Sequence, residues 1–104
     1  MAWLVLVASG VLEAVWATAL GRSDGLTRLG PTVVFAAALT ASMAGLALAM
    51  RTLPTGTAYA VWVAVGAALT MLYAMATGAE PATLLRVVLI VTIVGCVVGL
   101  KIVG

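Results

Sequence analysis

Four apolar stretches, each about 20 residues long, fill most of this chain and constrain its fold more than any other feature. They cover residues 2–20, 31–50, 56–78 and 82–101. A helix of about 20 mostly apolar residues is long enough to cross the hydrocarbon core of a bilayer. The sequence therefore predicts an all-α membrane protein, with a single transmembrane domain of four helices over residues 1–104.

The composition agrees with a membrane setting and excludes several functions. Hydrophobic residues make up 65% of the chain and charged residues only 8%, whereas soluble domains carry about 25% charged residues. The net charge of +2 and the lack of a basic stripe argue against nucleic-acid binding. With no His and a single Cys, we expect no metal site, disulfide or cofactor. The sequence also lacks a nucleophile–base pair of the kind that would indicate an enzyme.

Polar, Gly- and Pro-containing segments separate the helices, since irregular backbone is costly in hydrocarbon. They are short, so consecutive helices should be antiparallel neighbours. The first segment has no Lys or Arg before its apolar run and carries a Glu inside it. We therefore expect a retained helix rather than a cleaved signal peptide.

The charges at the helix ends give a weak signal for orientation. One face would carry Arg51 and Lys101, and the opposite face Arg22, Arg28 and Arg86. Cytoplasmic loops normally hold the excess of Lys and Arg. A difference of one residue leaves two interpretations open: a single orientation, or dual topology with copies that pair antiparallel.

Glu13 is the one ionisable residue that falls near the middle of a predicted helix. Placing such a group there costs roughly 2.5–3.5 kcal/mol, and it usually marks a functional site. The alternative is a structural Glu that holds helices together through a hydrogen bond. Burial disfavours the charged form, so the carboxylate would bind either a proton or a cation. That competition predicts a proton-coupled cation exchanger.

Aromatic and small residues at helical spacing predict a pocket around Glu13. Positions three or four residues apart share a helix face, and aromatic rings attract organic cations. Some of these aromatics could instead anchor the helices at the membrane surface. The predicted pocket residues are Gly10, Trp16, Ser42, Tyr59 and Trp62.

The fourth helix carries a different signal, a pair of glycines four residues apart. Gly95 and Gly99 lie on one face, which is a common surface for packing between membrane helices. We therefore predict that the first three helices build the site and the fourth builds a dimer. A dimer would bring two copies of Glu13 into one chamber.

Several motifs make the chain resemble the small multidrug resistance transporters along essentially its whole length. The residues after Glu13 are similar to the guanidinium exporter subtype, which has Trp three positions later, here Trp16. The Glu80-Pro81 pair is also typical of that subtype. The motifs that carry the resemblance are Gly25-Leu26-Thr27-Arg28-Leu29, Leu53-Pro54-Thr55-Gly56-Thr57-Ala58-Tyr59-Ala60-Val61-Trp62 and Gly99-Leu100-Lys101.

The resemblance implies an antiparallel homodimer in the inner (plasma) membrane that exports guanidinium in exchange for protons. It implies that Glu13 of both subunits binds protons and substrate in turn. It also implies that Trp16 and Ser42 orient Glu13, while Tyr59 and Trp62 shape the pocket. Of the Gly-x-Gly pair at the family's bend in the third helix, this chain keeps only Gly66.

Other functions stay open from the sequence. The first alternative is a broad-specificity, proton-coupled exporter of quaternary ammonium and other organic cations. A structural membrane subunit and a channel are further alternatives. A paralogue could also replace the second copy in the dimer.

Overall fold

Four α-helices make up almost all of the structure, a computed structural model that describes residues 2–103. They are α1 (Ala2–Arg22), α2 (Leu29–Ala49), α3 (Thr55–Ala76) and α4 (Leu84–Val103). All four are long and apolar enough to cross a membrane. Within residues 2–103 there is no β-strand. The predicted all-α membrane fold with four transmembrane helices is confirmed.

The helix ends differ by at most two residues from the sequence prediction. α2 begins at Leu29, two residues before Pro31, because Pro is tolerated in the first turn of a helix. α3 ends at Ala76, and the next turn places Gly78 at a φ of +79°, a conformation that favours Gly. α4 begins after Thr83, whose Oγ1 accepts the N–H of Arg86 at 3.2 Å, as an N-cap residue does.

The packing order does not follow the chain order. α1 lies against both α2 and α3, and α2 and α3 meet only over a short stretch. α4 packs mainly on α3. The chain accordingly forms a slab, with extents of 41 × 34 × 17 Å. Of the residues in α4, only Ile90 is buried. The large apolar surface that remains suits a lipid solvent or a second protein surface.

The packed core occupies one end of the four-helix fold. It lies where α1 begins, α2 ends and α3 begins, and it consists of Leu6, Leu46, Ala49, Ala58, Val61 and Trp62. Towards the opposite end, where α1 ends at Arg22, two cavities separate the helices. The helices are therefore tightly packed at the Arg51 end and separated by cavities at the Arg22 end.

Aromatic residues meet basic side chains at both ends. The Lys101 Nζ lies 5.9 Å from the centre of the Trp3 ring. At the other end Arg22 Nη2 donates to the Tyr73 hydroxyl at 3.0 Å and its guanidinium lies 5.4 Å from the ring centre. Such pairs are typical of the two membrane–water interfaces.

Candidate functional site

Glu13 lies in the middle of α1 and turns its carboxyl group towards α3. Its Oε1 atom is buried and has no hydrogen-bond partner among the described residues. Gly66 of α3 lies directly against this group, and a methyl at Gly66 would overlap Oε1. Glycine is thus the residue that makes room for the carboxyl group between the two helices.

A groove of about 320 Å³ opens beside the Glu13 carboxyl group. It runs along α1 and α3 towards the loop between α3 and α4. The Thr70 hydroxyl in this groove donates to the Gly66 carbonyl at 2.7 Å, and its lone pairs can still accept a hydrogen bond. The lining residues are Glu13, Ala17, Val63, Gly66, Ala67, Thr70, Met71 and Glu80.

A buried hydrogen-bond chain joins the first three helices one turn away from Glu13. The Trp62 indole Nε1 donates to Ser42 Oγ at 3.0 Å, and Ser42 Oγ donates to the Ser9 carbonyl at 2.7 Å. In a regular α-helix that same carbonyl accepts the backbone N–H of Glu13. The chain therefore fixes the backbone of α1 immediately before Glu13, rather than the carboxyl group itself.

Two further glycines permit this close packing. A methyl at Gly45 of α2 would overlap Ser9 Oγ. A methyl at Gly10 of α1 would lie 2.7 Å from Val65 Cγ1 and 3.4 Å from the Trp62 carbonyl oxygen. The glycines let α2 and α3 approach α1 closely, which is what allows the Trp62–Ser42–Ser9 chain to form.

Trp16 and Tyr59 take no part in the hydrogen-bond chain that holds Trp62. The Trp16 ring packs edge-on against Phe35 with centres 5.9 Å apart, and its buried Nε1 has no hydrogen-bond partner among residues 2–103. Tyr59 stacks at a tilt beside Trp62, with ring centres 6.0 Å apart, and is 55% exposed. An indole N–H without a partner is a donor available to a ligand or to another chain.

A second and larger cavity, of about 760 Å³, lies on another side of α1 between α2 and α3. Apolar side chains dominate its wall, and Arg22 and Tyr73 lie at its outer end. Glu13 does not line it. The carboxylate groove and this apolar cavity are therefore separate features of the structure.

The structure brings some of the predicted site residues together and leaves others apart. Glu13 contacts Gly66, and Ser42 contacts Trp62. Within residues 2–103, neither Ser42 nor Trp16 is hydrogen-bonded to Glu13. Gly66 lies inside a continuous α3, where it provides clearance for the carboxyl group. The remaining predicted residues, Gly95 and Gly99 of α4, border open space.

Sequence reasoning missed Gly45 and Thr70, although helical spacing could have found both. Gly45 follows Ser42 by three residues and Thr70 follows Gly66 by four, so each shares a face with a residue already singled out. The glycine-and-hydroxyl pairing is a known feature of packed membrane helices. Small residues one turn from a proposed site residue were the usable signal.

The electrostatics of the groove leave the Glu13 carboxyl group without a cationic partner. The one ion pair in residues 2–103 joins Arg86 and Glu80, near the other end of the groove. No group of His, Cys, Asp or Glu in the same range could hold a metal ion. A partly buried carboxyl group without a charged partner can take up a proton or an organic cation with N–H donors.

Together the fold and the site define a multi-pass membrane protein with a membrane-embedded carboxyl group in a lateral groove. The sequence pattern described as Small Multidrug Resistance protein matches residues 1–93. The chain belongs to the small multidrug resistance family.

The chain is also similar to named relatives over nearly its full length. It is 49% identical over 104 residues to proteins called guanidinium exporter from Citrobacter freundii and Salmonella typhimurium, covering 97% of this chain and 96% of each relative. It is 43% identical over 101 residues to a guanidinium exporter of Yersinia pestis, covering 97% of both chains. The family resemblance predicted from the sequence is confirmed.

Proposed function

We propose that this protein is a proton-coupled antiporter that exports guanidinium ion. The observation that carries the proposal is the buried Oε1 of Glu13, which has no partner in residues 2–103 and borders a groove of about 320 Å³. The names of the relatives, guanidinium exporter, supply the substrate. Transport rather than enzymatic turnover is the activity.

The chemistry of the ion suits the carboxylate. Guanidinium is planar and carries N–H donors that pair with both oxygens of a carboxylate. The same carboxyl group is neutral when protonated, and it then attracts the cation far less. One site therefore holds either a proton or a guanidinium ion, and alternating occupancy couples their movement in opposite directions.

A second copy in antiparallel orientation completes the site in this proposal. α4 packs mainly on α3, and its Gly95 and Gly99 border open space, which supports their use in dimer packing. The two-versus-three distribution of basic residues supports insertion in both orientations. The partner then contributes its own Glu13, and a paralogue in that place is the alternative.

The surrounding polar and aromatic residues receive separate roles. Trp16, with a buried indole N–H that has no partner in the described subunit, orients Glu13 or the bound ion across the dimer. Ser42 and Trp62 hold α1 in register through the Ser9 carbonyl. Tyr59, which is half-exposed beside Trp62, shapes the pocket edge. The protein works in the inner (plasma) membrane.

The alternative substrate class has one structural observation in its favour. The apolar cavity of about 760 Å³ could accept the hydrophobic groups of a quaternary ammonium ion. Glu13 does not line that cavity, however, so a cation held there would lack the carboxylate. The smaller groove beside Glu13 favours the smaller ion.

The test is uptake into proteoliposomes that contain the purified protein alone. With a proton gradient imposed, we expect saturable transport of guanidinium. Added tetramethylammonium should inhibit this transport only weakly. Use of one purified chain also tests the homodimer. Transport of tetramethylammonium without guanidinium would overturn the substrate assignment, and no transport without a paralogue would overturn the homodimer.

A further inference from the structure

The groove that holds Glu13 contains a second carboxylate at its outer end, Glu80 in the loop between α3 and α4. The turn after α3 places it there. Gly78 takes a positive φ of +79° and the backbone N–H of Glu80 bonds back to the Ala74 carbonyl at 3.2 Å. Glu80 is thus held over the end of α3 by a capped turn.

Glu80 already holds a guanidinium group, the one carried by Arg86. Nη1 of Arg86 donates to Glu80 Oε1 and lies 3.8 Å from the sulfur of Met71, which also lines the groove. The Arg86 and Glu80 side chains are 33% and 46% exposed. An ion pair that is this exposed is weak and exchanges readily, so a free cation of the same chemistry can compete for the carboxylate.

We propose that Glu80 is an outer binding site for guanidinium on its way to or from Glu13, and that Arg86 is a tethered competitor for that site. This rests on the proposed function. The ion would pass from Glu80 along Met71 and the Thr70 hydroxyl to the buried carboxyl group. Arg86 would pair with Glu80 when no substrate is present, and guanidinium would displace Arg86 from Glu80 when the guanidinium concentration rises.

The rest of the subunit supports access at this end. At the opposite end the core cluster around Leu6, Val61 and Trp62 closes the space between the helices. The other charges at the open end are Arg22, Arg28 and Asp24, and of the three carboxylates in the chain only Glu13 and Glu80 line the groove. Without Glu80, the arginines at this end would repel an approaching cation.

The decisive test compares Glu80→Gln with Arg86→Gln in the guanidinium transport assay. Loss of the carboxylate should raise KM by about 2- to 5-fold, which corresponds to the strength of an exposed ion pair. Loss of the competitor should lower KM by a similar factor. The maximal rates should stay near that of the wild type, since Glu13 is unchanged in both variants.

A purely structural ion pair gives a different pattern, because either substitution breaks the same contact. Both variants would then shift KM in the same direction, or not at all, and that result would overturn the inference. The KM difference between Glu80→Gln and the wild type should also shrink from low to 0.5 M potassium chloride, because salt screens exposed charges. A KM difference that stays the same at both salt concentrations would contradict the inference.

Two outcomes of this experiment distinguish a failure of this inference from a failure of the proposed function. If the wild type transports no guanidinium, the proposed function fails. If the wild type transports it and the two variants do not move KM in opposite directions, only the outer site fails. If Glu80→Gln inserts poorly into the membrane, Glu80→Asp is the alternative variant. Because it keeps the negative charge, its KM should depend on salt concentration as the wild-type KM does.

Discussion

Gly66→Ala tests whether the Glu13 carboxyl group acts from the position that the structure gives it. A methyl at this position would lie 2.5 Å from Glu13 Cδ and 2.8 Å from Cγ, whereas ordinary contacts begin at 3.4 Å. The carboxyl carbon must therefore move by about 0.9 Å. The obstructing atoms belong to the end of a flexible side chain, so Glu13 can swing aside while the helices stay in place.

Function and stability should therefore respond differently to this substitution. Holding a side chain about 30° away from its preferred rotamer costs about 0.5–1.5 kcal/mol, and Ala gains up to about 1 kcal/mol over Gly in helix propensity. The free energy of unfolding should stay within about 1 kcal/mol of the wild type. A displacement near 1 Å at an acting group costs on the order of 100-fold in rate, so we expect guanidinium transport to fall about 10- to 100-fold.

The assay is guanidinium uptake into proteoliposomes, with thermal unfolding in detergent measured on the same preparation. Gly21→Ala is the matched control, because a methyl there meets no other atom within 4 Å. It should keep wild-type transport. Wild-type transport by Gly66→Ala would refute the placement of the acting carboxyl group against α3, and equal losses in both variants would refute the clearance argument.

Three further substitutions test the surroundings of the site. Ser42→Ala leaves the buried Trp62 indole N–H without its acceptor and should lower the free energy of unfolding by about 1–3 kcal/mol; an unchanged midpoint in a denaturant titration would contradict this. Trp16→Phe removes no hydrogen bond within the subunit, so guanidinium transport should fall more than thermal stability does, and the reverse order would contradict the role given to Trp16. Replacing both Gly95 and Gly99 with Ile fills open space on α4, so chemical cross-linking should detect fewer dimers while circular dichroism keeps its helical signal; undiminished cross-linking would exclude this face from the interface.

The number of helices could be predicted from the sequence because length and hydropathy alone decide which segments can span a bilayer. The helix ends were less predictable, since local turns such as the Gly78 cap decide them. The packing order was not predictable either. Apolar residues surround the helices on nearly all sides, so no polar face distinguishes a helix neighbour from lipid.

The candidate site was predictable in part for the same physical reason. Glu13 is identifiable because a charge in an apolar segment is rare and costly. Its contact with Gly66, and the binding of Ser42 to Trp62 and Ser9, depend on how α2 and α3 sit around α1. Those contacts arise from tertiary packing, which the spacing along a single helix does not specify.

The central claim is that Glu13 exchanges a proton for guanidinium, and proton movement driven by a guanidinium gradient tests it most directly. Proteoliposomes with a pH-sensitive dye inside would compare the wild type, Glu13→Gln and Asp24→Asn, where the last is the same change at an exposed loop carboxylate outside the groove. We predict proton flux opposite to guanidinium flux in the wild type and in Asp24→Asn, and neither flux in Glu13→Gln. Coupled exchange that persists in Glu13→Gln would contradict the account.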